Sequence, residues 1–541
     1  MYEFLSIVGD QELRDLLERE AGPNVAEHAA ITGRPGLIAV LAAKYGYDAL
    51  ASPRVRRMLL ESLEWGAVAE LSARCGVDPA GKVYDVALRL SELPWRPNAS
   101  LVQELAERLC IPDEYLPELS ARPSAVELIV PRRPIGALFD FQEEIVSQVV
   151  AVLSGDGGRR CMVQLPTGAG KTRTAIESVL RWDYETRGLD DGCVVWLAHT
   201  RELCEQACDT WQRVWADHGR VALSLRRMWG GLSPPVFAGP RTVVVASIAR
   251  LTSLRRLAPE RFAGMKRSVC LVVFDEAHRA LGDVTKRMLK DLLADDVRLL
   301  GLSATPGRGT HDERGNRILA ATFGGQLIGA PSLGNNPIQV LQQRGVLSKL
   351  EFISAESGVE VAEREVSTDE ESESDVDPRL LRRLASSRAR NKLILDAVSD
   401  EVHEGRQVIV FACSVSHARQ LAFELAATGA AVGYVDCELT PSQRTRVVEA
   451  FRGGLLRVLF NYGVLATGFD APGVETVVIA RPTTSIVLYA QMVGRGLRGP
   501  AVGGTTSCRV LHIHDALAEN SSLDDVYRYF GSYWSDGNSR K

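Results

Sequence analysis

The chain has 541 residues, 45% of them hydrophobic and 24% charged, with a formal net charge of −5. At roughly 100–200 residues per domain, this length predicts about three or four domains of ordinary globular composition. The acidic balance excludes a basic nucleic-acid coat, so a nucleic-acid site would have to be a local groove. No apolar run approaches the ~20 residues that span a bilayer. Met1–Glu20 lacks a basic start followed by an apolar block, so no signal peptide is expected. The ten cysteines are scattered without a Cys-x-x-Cys pair, which fits a reducing cytoplasm better than a disulfide framework or a zinc ribbon.

Residues 1–125 read as an all-α accessory domain. Apolar residues recur there at helical spacing, as in Val55, Met58, Leu59 and Leu63. Leu41–Asp48 resembles Leu71–Asp78, and Leu105–Ile111 is a looser third copy, at a period of roughly 30–34 residues. Three readings fit: helix-pair repeats that could dock a protein partner, unrelated helices of which two end at a glycine, and a helix-turn-helix. Pro123, Pro131 and Pro134 then punctuate a linker.

Between 136 and 330 short apolar runs alternate with helical stretches: Cys161–Leu165, Val194–Ala198, Thr242–Ala246, Val269–Phe274 and Leu299–Leu302. Parallel strands covered by helices on both faces read this way. The pattern returns between 385 and 515, with Val408–Phe411, Val432–Tyr434, Val458–Phe460, Val477–Ile479 and Val510–Ile513. Two α/β domains in series follow. Residues 331–384 are expected to link them, with the acidic, serine-rich stretch 363–377 as a solvated insert rather than a regulatory tail. The tail 516–541 carries Tyr527, Tyr529, Phe530, Tyr533 and Trp534. These aromatics are expected to pack back on a domain, with base stacking as the alternative. Cys204 and Cys208 share one helix face near His199, read as a buried apolar face in preference to a metal site.

The strand Cys161–Leu165 runs into Pro166-Thr167-Gly168-Ala169-Gly170-Lys171-Thr172 and then a helix. Strand, glycine-rich loop and helix N-terminus form a phosphate cradle: Gly168 and Gly170 let backbone N–H groups converge, and the helix dipole favours negative charge. Lys171 would reach the outer phosphates of ATP, and the Thr172 hydroxyl would hold Mg²⁺. A second apolar strand ends in Asp275-Glu276-Ala277-His278. Carboxylates at a strand's carboxyl end lie beside the phosphate loop in an α/β sheet. Asp275 would hold Mg²⁺, and Glu276 would orient the attacking water.

These two motifs resemble those of the superfamily 2 helicases and translocases, which implies two tandem RecA-like domains. Ser303-Ala304-Thr305 resembles the motif that couples the ATP site to nucleic acid, with His278 beside it. His199–Gln206 resembles a motif facing the nucleic-acid backbone through Thr200 and Arg201, and Ser247 stands where the next such contact is expected. Phe139–Gln142 resembles the adenine-reading motif, with Gln142 as the reader. Asn461–Pro472 resembles the fifth motif, which implies a nucleic-acid contact at Thr467 and nucleotide contacts at Gly468 and Asp470. Gln491–Arg498 resembles the sixth, which implies catalytic roles for Gln491 and for Arg495 and Arg498 as arginine fingers; a pair of surface arginines is the alternative. The style of 464–500 is most similar to the RadD-like and type I or III restriction-motor group. That likeness implies DNA before RNA as the partner, with DNA repair or antiphage defence as the setting. It departs in having no cysteine-rich zinc module after the second domain. An ATP-gated clamp or scaffold within a larger complex is the competing expectation.

Overall fold

The structure is a computed structural model. It describes residues 4–96, 99–112, 115–116, 124–130, 136–155, 159–186, 189–190, 192–232, 241–294, 296–307, 312–359, 376–463, 471–483, 485–515 and 533–534. Two parallel sheets, each flanked by helices, follow an all-helical N-terminal region. The first sheet is built from β1 (Val126–Ile129), β2 (Arg160–Gln164), β3 (Cys193–Ala198), β4 (Leu223–Met228), β5 (Thr242–Ser247), β6 (Val269–Asp275), β7 (Arg298–Ser303) and β8 (Leu327–Ile328). Its order is β1-β4-β5-β3-β6-β7-β2-β8, with β1 antiparallel to its neighbour. The second is built from β9 (Lys349–Glu356), β10 (Val408–Phe411), β11 (Val432–Val435), β12 (Val458–Asn461), β13 (Thr476–Ile479) and β14 (Ser507–His514), in the order β11-β12-β10-β13-β14-β9 and parallel throughout.

The runs of Val, Ile and Leu expected as strands all lie in these sheets. The central strands β3 and β5 are buried at every position, as helices on both faces require. Strand β4 contains Arg226 and Arg227, both largely buried. Arg227 is neutralised by Glu127 of β1 at 2.6 Å, so the edge strand covers a charge as well as a backbone row. Strand β9 lies in the segment expected to be a linker, yet it pairs with β14 along its whole length. The acidic stretch falls outside the described residues up to 375. Val376 and the helix Pro378–Ser386 that follows pack their apolar residues on the second domain beside Cys413.

At the carboxyl end of the second sheet, Arg390 and Asp515 form a fully buried bidentate pair at 2.7 Å. Arg390 also donates to the Ala480 carbonyl at 2.6 Å. One guanidinium thus ties the ends of β13 and β14 to the domain's entering helix, Arg388–His403. Fully paired burial of this kind is needed to offset the desolvation of both ions.

The accessory region has seven α-helices among the described residues, Asp10–Ala21, Pro23–Ile31, Arg34–Tyr45, Pro53–Glu61, Trp65–Arg74, Val83–Ser91 and Ser100–Leu109. Its core is not separate. Leu37, Ile38 and Leu41 belong to one continuous apolar cluster with Ala418, Leu421 and Leu425 of the second domain. The helix Arg34–Tyr45 buries residues around most of its circumference, as a helix between two layers must. Gly36 allows the close approach: a Cβ there would lie 2.7 Å from the Ala427 carbonyl. Thr32 Oγ1 donates to that carbonyl at 2.7 Å, and Arg446 pairs with Asp48 at 3.1 Å. Each of the three sequence copies covers the end of a helix. Gly46, Gly76 and Cys110 occupy equivalent positions, all with positive φ (52°, 70° and 48°).

Candidate nucleotide site and interdomain cleft

The phosphate loop leaves β2 and enters the helix Lys171–Thr186. Gly168 and Gly170 have φ of +86° and +89°, which side chains with a Cβ rarely adopt. A Cβ on Gly170 would also sit 2.5 Å from Gln142 Nε2, so the glycine is required twice. Gln142 is buried. Its Oε1 accepts from the Phe139 N–H at 3.1 Å, and its Nε2 donates to the Ala169 carbonyl at 3.1 Å. Gln142 therefore braces the loop from behind and keeps one further donor and acceptor capacity for a base edge.

Asp275 ends β6, and Glu276 turns the chain with φ +52°, a left-handed conformation that costs a non-glycine residue about 1 kcal/mol or more. Lys171 Nζ donates to the Leu165 carbonyl at 3.2 Å. Burial lowers the Lys171 ammonium, opposed by Glu276 and Asp275 and assisted by Arg495. Burial, then the neighbouring Glu276, raises the Asp275 carboxyl, with Lys171 opposing. The cause is partial burial of two carboxylates beside one ammonium, with Arg495 near. A divalent cation beside Asp275 would relieve that burden, and the oxygen donors Thr172 and Asp275 suit Mg²⁺.

His278 lies between the ends of β6 and β7. Ser303 Oγ donates to the Thr305 carbonyl at 2.8 Å and accepts from the Thr305 N–H at 3.1 Å. Its one proton is thus spent, so at 3.1 Å it accepts from His278 Nδ1–H. Glu276 Oε2 lies 3.3 Å from the same nitrogen. Burial lowers the ring to about 4, against Glu276, so the imidazole is neutral at pH 7 with Nε2 as an acceptor. Gln491 Nε2, from the second domain, faces that atom at 3.5 Å. Ala304 lies half-buried between Ser303 and Thr305.

Between the two domains the described residues line a cavity of about 820 Å³. Thr167, Gly168, Gly170, Lys171, Thr172, Asp275 and Glu276 line it from the first domain, and Arg495 and Arg498 from the second. The domains touch at the loop: a Cβ on Gly494 would lie 2.9 Å from Thr167.

Thr200 and Ser247 cap adjacent helices, accepting from Leu203 N and Arg250 N at 3.3 Å each. They stand at the carboxyl ends of the paired strands β3 and β5. Arg201 faces the cavity and pairs with Glu205 at 2.6 Å. Thr467, Gly468 and Asp470 lie outside the described residues. Cys204 and Cys208 are buried in the main core, the expected apolar face. The Trp534 indole is buried and donates to the Pro306 carbonyl at 3.2 Å, just past Thr305, while Tyr533 packs on the same cluster. Two features had no sequence signal: the interdomain pair Glu202–Arg444 at 2.5 Å and the linker residues Leu347 and Ser348.

Fold and site together define a tandem RecA-like protein with its nucleotide cleft between the domains. Residues 136–308 match the family described as "Type III restriction enzyme, res subunit", and residues 389–499 match "Helicase conserved C-terminal domain". The chain belongs to the superfamily 2 helicases and translocases. It is 24% identical over 372 residues to the "Putative ATP-dependent helicase IRC3" of Saccharomyces cerevisiae, covering 67% of this chain and 49% of that protein. It is 27% identical over 351 residues to the "ATP-dependent RNA helicase DBP3" of Eremothecium gossypii, covering 62% and 56%. It is 24% identical over 425 residues to the "Type I restriction enzyme EcoKI endonuclease subunit" of Escherichia coli, covering 71% and 35%. The chain thus spans little more than half, or less, of these relatives' own lengths. No helix among the described residues is long and apolar enough to cross a membrane.

Proposed function

We propose that the chain is a nucleic-acid-dependent ATPase that couples hydrolysis to movement on DNA or its remodelling. The observation that carries this is the shared cavity: Arg495 and Arg498 line it opposite Lys171, Asp275 and Glu276. Thr172 and Asp275 would hold Mg²⁺, whose charge would offset that building on the phosphoryl oxygens. Lys171 binds the outer phosphates, and Glu276 orients water in line with them. Arg495 and Arg498 stabilise the transferring group, a contribution of roughly 10³–10⁵ in rate in other nucleotide hydrolases. ATP favours the closed cleft because it bridges both domains, and hydrolysis removes that bridge.

Support for a nucleic-acid path comes from Thr200 and Ser247. Their helices begin side by side at the sheet's carboxyl edge, where two helix N-termini suit a phosphate backbone. Gln491 against His278 offers a route from that edge to the water-orienting Glu276. DNA is favoured by the restriction-enzyme family match and by the EcoKI relative, whose name as a subunit also favours a protein partner. The test is ATPase activity with single-stranded DNA, duplex DNA and RNA side by side. Stimulation by DNA that weakens with salt is expected. Stimulation by RNA alone would overturn the DNA reading, and no stimulation by any of them would overturn the motor reading. Strand-displacement and triplex-displacement assays separate unwinding and translocation from an ATP-gated clamp.

A further inference from the structure

We infer that Ser348, in the connecting segment just before β9, is a positioning residue that sets where Arg498 meets the nucleotide. This rests on the reading of Arg498 as a finger. Residues 346–348 pair with the segment that carries the arginine. The Ser348 N–H donates to the Leu497 carbonyl at 2.9 Å, the Gly499 N–H donates to the Val346 carbonyl at 3.0 Å, and Leu347 bridges Arg498 in antiparallel register. Arg498 is therefore held on both sides by linker backbone.

The Ser348 side chain is fully buried and adds a clamp. Its hydroxyl lies 2.5 Å from the Arg498 carbonyl, 2.8 Å from the Thr505 carbonyl and 3.2 Å from Thr505 Oγ1. One O–H cannot satisfy two carbonyls fully, so it is shared between them, with the Thr505 hydroxyl beside it. The Thr505 N–H also donates to the Arg498 carbonyl at 2.9 Å. Three separate segments (linker, finger and the turn before β14) thus converge on one buried hydroxyl.

The neighbouring residue closes the circuit. Leu347 Cδ2 would lie 3.3 Å from a Cβ on Gly168, so the linker lies against the phosphate loop on one side and holds the finger on the other. Leu347 and Ser348 thus set how the segment carrying Arg498 seats against the phosphate loop when the cleft is closed. Small displacements of a catalytic group cost much in rate and little in ground-state binding.

The experiment is a double-mutant cycle on the full chain, with the most effective nucleic-acid activator present. S348A is expected to lower kcat about tenfold, leaving the KM for ATP and the binding of a fluorescent ATP analogue within about twofold. In an R498A background the same substitution is expected to lower kcat by less than about twofold, because the group it positions is gone. S348C, which keeps the volume and a weak donor, is expected to fall between, and it carries the same cycle if S348A does not fold. An equal loss in both backgrounds, a loss confined to ATP affinity, or no loss of kcat would overturn the role of Ser348. An R498A protein with unchanged kcat would instead overturn the finger reading beneath it.

Discussion

Gln491 Nε2 of the second domain stands 3.5 Å from His278 Nε2 of the first. The proton inventory around Ser303 makes that histidine nitrogen an acceptor, so the amide faces it as a donor across the cleft. The distance is long for a hydrogen bond and would shorten as the domains close. Gln491→Glu replaces the donor with acceptor oxygens against an acceptor nitrogen. Nucleic-acid stimulation of the ATPase is expected to fall about tenfold, the cost of an unmatched buried polar group near 1–3 kcal/mol. Unchanged stimulation would show that this contact transmits nothing.

Lys171→Ala is expected to abolish turnover while the protein keeps its thermal transition. The buried Asp275 carboxyl, already raised, can take a proton when the ammonium is lost, so the fold survives. Glu276→Gln is expected to retain ATP binding and to hydrolyse it at least about a hundredfold more slowly, as loss of a group acting on the nucleophile implies. Normal single-turnover hydrolysis by either variant would remove these residues from the mechanism.

A histidine far from the cleft predicts acid sensitivity. His417 Nδ1 accepts from the Cys413 N–H at 3.2 Å, so Nε2 carries the proton, donated to Asn391 Oδ1 at 2.9 Å. Burial, assisted by Arg390, lowers this ring to about 3. Below its ordinary value near 6.5 the unfolded chain binds a proton that the folded chain refuses. Its stabilising share is complete above pH 6.5 and is lost as pH falls from there toward 3. The melting temperature is expected to decline less steeply between pH 6.5 and 5 in His417→Gln than in the parent. A parallel decline would place the sensitivity elsewhere.

Cys110 adopts φ +48° where the two sister helix ends carry Gly46 and Gly76. It is exposed, so its side chain contributes little packing. Cys110→Gly removes the left-handed penalty and is expected to stabilise the chain by roughly 0.5–1 kcal/mol, net of glycine's larger unfolded-state entropy. A lower denaturation midpoint in the glycine variant would contradict this.

The nucleotide site was legible because its chemistry needs particular residues in sequence: a glycine-rich turn, a basic group, a carboxylate pair at a strand end. The buried strands were legible because both faces are covered and their side chains say so. Strand β4 was not, since Arg226 and Arg227 mimic a solvated segment until Glu127 is brought alongside. Strand β9 alternates charge with apolar residues beside an acidic stretch, and only its pairing with β14 assigns it to a sheet. Ser348 has no signature, because a lone serine acquires meaning only from the three segments that meet around it. The union of the accessory helices with the second domain depends on Gly36 and an apolar surface whose partner lies hundreds of residues away.

That union has a mechanical corollary. The helices from Trp65 to Leu109 pack chiefly on their own neighbours, outboard of the seam formed by Leu37, Leu41, Leu421 and Leu425. A turn that carries Arg498 a short way at the pivot would swing this outrigger through a wider arc.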